Sequence, residues 1–198
     1  MLVVCYWTND AYKALADQMM ESARAVGLRT AGYFVDNPTG QWRDGDCKKP
    51  AVVLRAIEEH PKESILVVDA DCKFHSFPTL LEDSNHDYEL AAYFDGPMKP
   101  YSTVVWFRAG SGLKYAKRWV EEMKRNPDKP NDIVWLNDAI QSIRPRLVMH
   151  LPPAYCWTEP WLRRRFGSVK PIIEHFCVGE HSFPGNIYAR TKHTLYTS

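Results

Sequence analysis

Residues 65–71, Ile-Leu-Val-Val-Asp-Ala-Asp, constrain this chain more than any other segment. An aliphatic, mostly β-branched run reads as a buried strand, and it stops at two carboxylates separated by one alanine. An ionised carboxylate does not enter a dry core without a partner. Asp69 and Asp71 therefore belong at the C-terminal end of the strand, on the edge of its sheet. On an extended chain, residues i and i+2 face the same way, so both carboxylates can address one cation. Open parallel sheets bind ligands at that edge, and an oxygen-rich pair suits a divalent cation bridging to a phosphate. A solvated turn would account for Asp-x-Asp alone; the strand before it and Phe74-His75-Ser76-Phe77-Pro78 after it favour the metal site.

The surrounding pattern supplies the sheet. Residues 2–7 form a short apolar strand, and Thr8 and Asn9 offer caps for a helix from Asp10 to Val26, ended by Gly27 in the C′ position. Residues 29–35 are a second strand and 36–50 a loop rich in Asp, Gly, Asn and Pro. Pro50 opens a helix to His60, and the third strand follows at 64–68. This β-α-β-loop-α-β order predicts a mostly parallel central sheet with helices on both faces. Strands at 89–94, 102–107 and 146–151 and helices at 113–125 and 131–143 continue the pattern. The helix at 113–125 carries apolar residues at 113, 116, 119, 120 and 123. Residues 154–198 read as irregular, aromatic and basic.

With 198 residues, the chain suits one domain. A net charge of +1 leaves no global field toward nucleic acid or membrane. Five cysteines at wide spacing form no CxxC or zinc pattern and read as reduced thiols. No apolar run approaches the ~20 residues of a membrane span, and no signal peptide precedes the first strand. A cytoplasmic setting, bacterial or phage, is the expectation.

Other segments bear chemistry, each with a plainer alternative. In Ile172-Ile-Glu-His-Phe176, His175 ends a short apolar strand and is a third metal-ligand candidate; a hydrogen-bonded core histidine is the alternative. In Asp46-Cys-Lys-Lys-Pro50, Lys48 and Lys49 oppose the helix dipole, which a bound anion would offset. Arg55 lies about two turns further along, and a solvated basic patch explains all three equally well. Tyr6-Trp7-Thr8-Asn9 can hold a flat ring, or cover the sheet edge. Asn131-Asp132 can cap a helix, or place Asp132 at the mouth of an acceptor site. Arg163-Arg164-Arg165 is most simply a solvated charge run, with a phosphate-rich acceptor such as DNA as the other reading.

Taken in order, these segments resemble the GT-A glycosyltransferases, the nucleotide-diphospho-sugar transferases. The first loop, Lys48-Lys49-Pro50, the Asp69-x-Asp71 segment, Ser102–Arg108 with the following Arg118-Trp119 helix, Asn131-Asp132 and the Ile172–Phe176 strand each match a family feature. The family's Asp-Gln pair is Asp132-Ile133 here. The resemblance implies a single GT-A (Rossmann-like) domain over 1–198, with a nucleotide-sugar-binding half at 1–100 and an acceptor-side half at 101–198. It implies a nucleotide-sugar donor, a UDP-sugar foremost, and Mn2+ or Mg2+ at Asp69, Asp71 and His175. Asp71 and His175 would hold the cation with the diphosphate, while Asp69 reaches the ribose or a metal-bound water. Lys48, Lys49 and Arg55 would contact the diphosphate, and Tyr6 to Asn9 the base. Asp95 and Asp132 are the catalytic-base candidates if the enzyme inverts, and the resemblance leans to retention. Polysaccharide, protein and a modified DNA base all stand as acceptors.

Two rivals remain. A nucleotidyltransferase would show a Gly-rich first loop, which Tyr6-Trp7-Thr8-Asn9-Asp10 is not. A non-catalytic carbohydrate- or nucleic-acid-binding module fits the aromatics and the arginine run, but leaves the paired carboxylates unexplained.

Overall fold

The computed structural model describes residues 1–39, 44–45, 47–82, 87–96, 99–129, 131–158 and 161–177. Asp46, Gly179, His181 and the rest of the tail at 178–198 lie outside them. Eight strands are described: β1 Leu2–Trp7, β2 Arg29–Phe34, β3 Ile65–Val68, β4 Cys72–Phe74, β5 Leu90–Phe94, β6 Pro100–Phe107, β7 Val148–Leu151 and β8 Ile173–His175. The helices are α1 Asp10–Ala25, α2 Lys49–Glu59, α3 Leu113–Arg125, α4 Asp132–Ser142 and the short α5 Trp161–Phe166. The larger sheet has the order β2-β1-β3-β6-β5-β7. β1 pairs in parallel with β2 and β3, and β5 with β7, while β6 runs against both neighbours. The α/β expectation is met, with β6 as the one reversed strand.

Alternation along the strands divides the core. Val3, Cys5, Leu66, Val68, Val104 and Trp106 face α1, Tyr155 and Leu162. Leu2, Val4, Ile65, Val67, Val105 and Phe107 face α2, α3 and α4, among them Trp119 and Trp135. The central strands are buried on both faces, which is why their sequences read as continuous apolar runs. Helix α1 starts at Asn9, whose side chain accepts the Tyr12 N–H at 3.0 Å, and is followed by Gly27 at φ +87°. Gly32 serves close packing instead: a Cβ there would stand 2.5 Å from the Trp7 ring.

The sequence reading missed a small second sheet. β4 and β8 pair antiparallel with Cys72 opposite His175. Trp157 fixes β8 from its other side, receiving the His175 N–H at 2.7 Å on its carbonyl and donating its own N–H to Ile173 at 2.9 Å. Because β4 starts immediately after Asp71, this ribbon brings residue 175 back to the end of β3.

Candidate active site at the sheet edge

Strands β1, β3 and β5 all end on one edge, and β6 begins there, so Trp7, Asp69, Asp95 and Ser102 share it. The β4–β8 ribbon adds His175. One ligand atom from each of Asp69, Asp71 and His175 lies within 4.8 Å of the others. His175 Nε2 stands 3.3 Å from Asp71 Oδ1, near the ~3 Å edge of an octahedral cation's ligand shell. The Phe176 N–H donates to the Asp71 carbonyl at 2.9 Å, fixing the carboxylate's backbone to the ribbon. On the far side of the ring, Cys177 Sγ is 3.3 Å from Nδ1, so Nε2 is the nitrogen directed at the carboxylates. Cys177 itself has φ +53°, a left-handed backbone uncommon for a side-chain-bearing residue. Only its position two residues after His175 could have flagged it.

Beneath the carboxylates is a buried cation. Lys49, 3% exposed, sets Nζ 2.8 Å from Asp69 Oδ1 and 3.0 Å from Asp132 Oδ2, with Ser102 Oγ at 3.4 Å. The anion that offsets a lysine at the N-terminus of α2 is therefore the protein's own pair of carboxylates. This corrects two expectations. Lys49 points inward at Asp69, not outward at a diphosphate. Asp132 is 2% exposed and buried against Lys49, not at the mouth of an acceptor site. Asn131 takes the cap of α4, accepting the Val134 N–H at 3.3 Å, and this frees Asp132 to turn inward.

Charge explains the pKa directions. Burial pushes the Asp69 carboxyl up, while Lys49 and His175 pull it back and Asp71 adds to the rise. Burial alone would favour neutral His175, but the Asp71 charge and hydrogen bond, with Cys177, raise it well above the usual imidazole range. Asp69 and Asp132 face Lys49 and Asp71 faces His175, so three carboxylates meet one lysine, an acidic excess that the raised imidazole offsets. A divalent cation would answer it equally well, so the donor set fits one. The neighbouring thiols do not compete. Burial pushes Cys156 up to about 12, and Cys72 well above the thiol range with Asp71 and Asp69 adding to it. All five cysteines are free thiols, as the spacing predicted.

The remaining expected residues divide. The Tyr6 hydroxyl donates to the Gly45 carbonyl at 3.3 Å, and Trp7 lies over Gly32 with Lys13 Nζ 5.0 Å from its ring. Thr8 is half-buried beside Gly45. Asn9 caps α1 through its side-chain oxygen. Lys48 is exposed at the start of α2. Arg55 does not join the site: its Nε donates to Glu59 at 2.7 Å and its guanidinium covers the Tyr33 ring. The same Glu59 accepts the Tyr33 hydroxyl at 2.7 Å, so these three tie α2 to β2. Asp95 lies at the sheet edge with its carboxylate paired to Arg165. The arginine run is thus partly structural, on α5.

No protein-family model matches the sequence, and no curated protein matches it. Solved structures do. One is similar with a TM-score of 0.71 at 12% identity, covering 97% of this chain and 96% of its own: a glycosyltransferase involved in glycosylation of the major capsid of PBCV-1. Another, galactosyltransferase LgtC in complex with donor and acceptor sugar analogs, is similar with a TM-score of 0.55 at 13% identity, covering 100% and 97%. The likeness is one of fold across essentially the whole chain. The α/β fold of this chain matches that of these two glycosyltransferases.

Proposed function

We propose that this protein is a metal-dependent glycosyltransferase that moves a sugar from a nucleoside-diphosphate sugar, a UDP-sugar foremost, to an acceptor hydroxyl. The observation that carries the reading is the convergence of Asp69, Asp71 and His175 over Lys49 at the ligand-binding edge of a glycosyltransferase fold. No helix among the described residues is long and apolar enough to cross a membrane.

Mn2+ or Mg2+ would be held by Asp71, His175 and Asp69, and when bound would supply Lewis acidity to the departing diphosphate. Protein ligands of this number leave positions for phosphate oxygens. Lys49 engages one oxygen of Asp69, so the second remains for the cation or the ribose. The ammonium also places one positive charge between the Asp69 and Asp132 carboxylates. Lys48 stands where a phosphate oxygen would approach the N-terminus of α2. Tyr6, Trp7 and Thr8 frame the base in the donor half, 1–100, while the acceptor half, 101–198, returns His175 to the metal. Asp95 is paired with Arg165 and Asp132 with Lys49. Neither is poised as a base, which favours transfer with retention.

Purified protein incubated with a panel of nucleotide sugars, with and without Mn2+, tests the reading. Release of a nucleoside diphosphate that requires Mn2+ and is lost in Asp71→Ala supports it and identifies the donor. No release from any donor, together with no donor-induced rise in melting temperature, sinks it in favour of a binding module.

A further inference from the structure

The donor chemistry leaves an aromatic cluster unused. Tyr93 on β5 and Tyr101 on β6 have ring centroids 5.5 Å apart at 58°. Trp161, the first residue of α5, stacks on Tyr101 at 6.2 Å and 29°. Trp161 is 41% exposed, so the stack is open to solvent. Arg165 follows one helical turn later, on the same side of α5, and its guanidinium pairs with Asp95. An indole, a guanidinium and a carboxylate therefore share one open surface.

That surface adjoins the metal candidates. Tyr101 lies at the start of β6, the end of that strand nearest Asp69. Burial pushes the Tyr101 phenol up, and Asp95, Cys156, Tyr93 and Cys177 raise it further. Of these, Cys177 is the residue that touches His175.

We propose that Trp161, Tyr101, Asp95 and Arg165 form the acceptor subsite and that the acceptor is a carbohydrate, its pyranose ring lying on Trp161. The inference rests on the glycosyltransferase reading above. A pyranose has a face of C–H bonds, which suits the electron-rich face of an indole. It also has a rim of hydroxyls that both donate and accept, and Asp95 accepts while Arg165 donates. Open aromatic surface with a few convergent polar groups is the usual make-up of such sites. A nucleic acid would stack as well, but it also needs cations for its phosphates. Arg165 is paired with Asp95, which leaves Arg163 and Arg164 as the other exposed cations of α5, and the chain carries only +1 overall.

The test uses the full chain and the methyl glycosides of glucose, galactose and N-acetylglucosamine. Saturation-transfer NMR reads glycoside binding without any donor turnover. Mn2+-dependent release of nucleoside diphosphate to water reads the donor side without any acceptor. The expected result is binding of at least one glycoside, weakened about tenfold in Trp161→Ala and largely kept in Trp161→Phe. Release to water stays unchanged in both variants. Glycoside binding indifferent to Trp161→Ala, or no glycoside binding alongside binding of a single-stranded oligonucleotide or of nothing, overturns the proposal. Absent donor hydrolysis with intact, Trp161-dependent glycoside binding would fault the transferase reading and leave the sugar subsite standing.

Discussion

The two sides of the sheet edge are built on different physics. On the side proposed for the donor, the charges are enclosed: Lys49 and Asp132 are almost fully buried, and Asp71 and His175 are held by the β4–β8 ribbon. On the side proposed for the acceptor, the groups are open: Trp161 and Arg165 sit on a short surface helix, and the Asp95–Arg165 pair is partly exposed. Low dielectric strengthens every interaction among the first set and penalises any that is left unmet. Solvent screens the second set, so its geometry can adapt at little cost. Such a division suits an edge that fixes a cation and diphosphate on one side and admits a variable sugar on the other.

The comparison predicts large effects on the donor side and small ones on the acceptor side. Asp71→Ala removes a proposed ligand and should cut Mn2+-dependent donor turnover about a thousandfold, read by steady-state kinetics with circular dichroism confirming the fold. Lys49→Met leaves Asp69 and Asp132 without their buried cation. The cost should be about 3–5 kcal/mol of stability by urea denaturation, because an uncompensated buried charge remains. Cys177→Ala removes the atom engaging His175 Nδ1 and should weaken Mn2+ binding by about tenfold or more in calorimetry.

His175 adds a pH dependence. Its folded value is raised, so in the metal-free protein its contribution to stability is full below the ordinary imidazole value of about 6.5 and fades as pH rises through the raised one. Mn2+ bound at His175, as proposed, would compete with a proton there, so affinity should rise over the same range with release of a proton, measurable by calorimetry in buffers of different ionisation enthalpy. At the small end, Arg165→Ala should change stability by less than about 1 kcal/mol, because its ion pair with Asp95 is half exposed. A loss of several kcal/mol there would erase the distinction between the two sides.

How far the sequence reached follows from periodicity and contact distance. Helices α1, α2, α3 and α4 and the central strands carry long apolar patterns with caps or breakers, so their positions were legible within a few residues. Asp69, Asp71 and His175 were legible because each ends an apolar strand. The ribbon that joins them was not: β4 and β8 are three residues each, too short for a period, and their partners are a hundred positions apart. The choice between Lys48 and Lys49 was equally hidden, since adjacent residues differ only in which one the first turn of α2 directs inward. Asp132 was misread for the same reason, because either member of Asn131-Asp132 can cap and only the structure shows that Asn131 does. Trp161 and Arg165 fall in a stretch without a helical apolar stripe, and nothing in the chain pairs Arg165 with Asp95.

The central claim is that Asp69, Asp71 and His175 hold a divalent cation that in turn holds a diphosphate. Titration of UDP into the protein, with and without Mn2+, in wild type and in His175→Ala, tests it most directly. Coupling between the two ligands must be reciprocal, so Mn2+ should tighten UDP binding about tenfold or more in the wild type, and His175→Ala should abolish most of that gain. UDP affinity that ignores Mn2+, or a Mn2+ effect untouched by His175→Ala, would contradict the account.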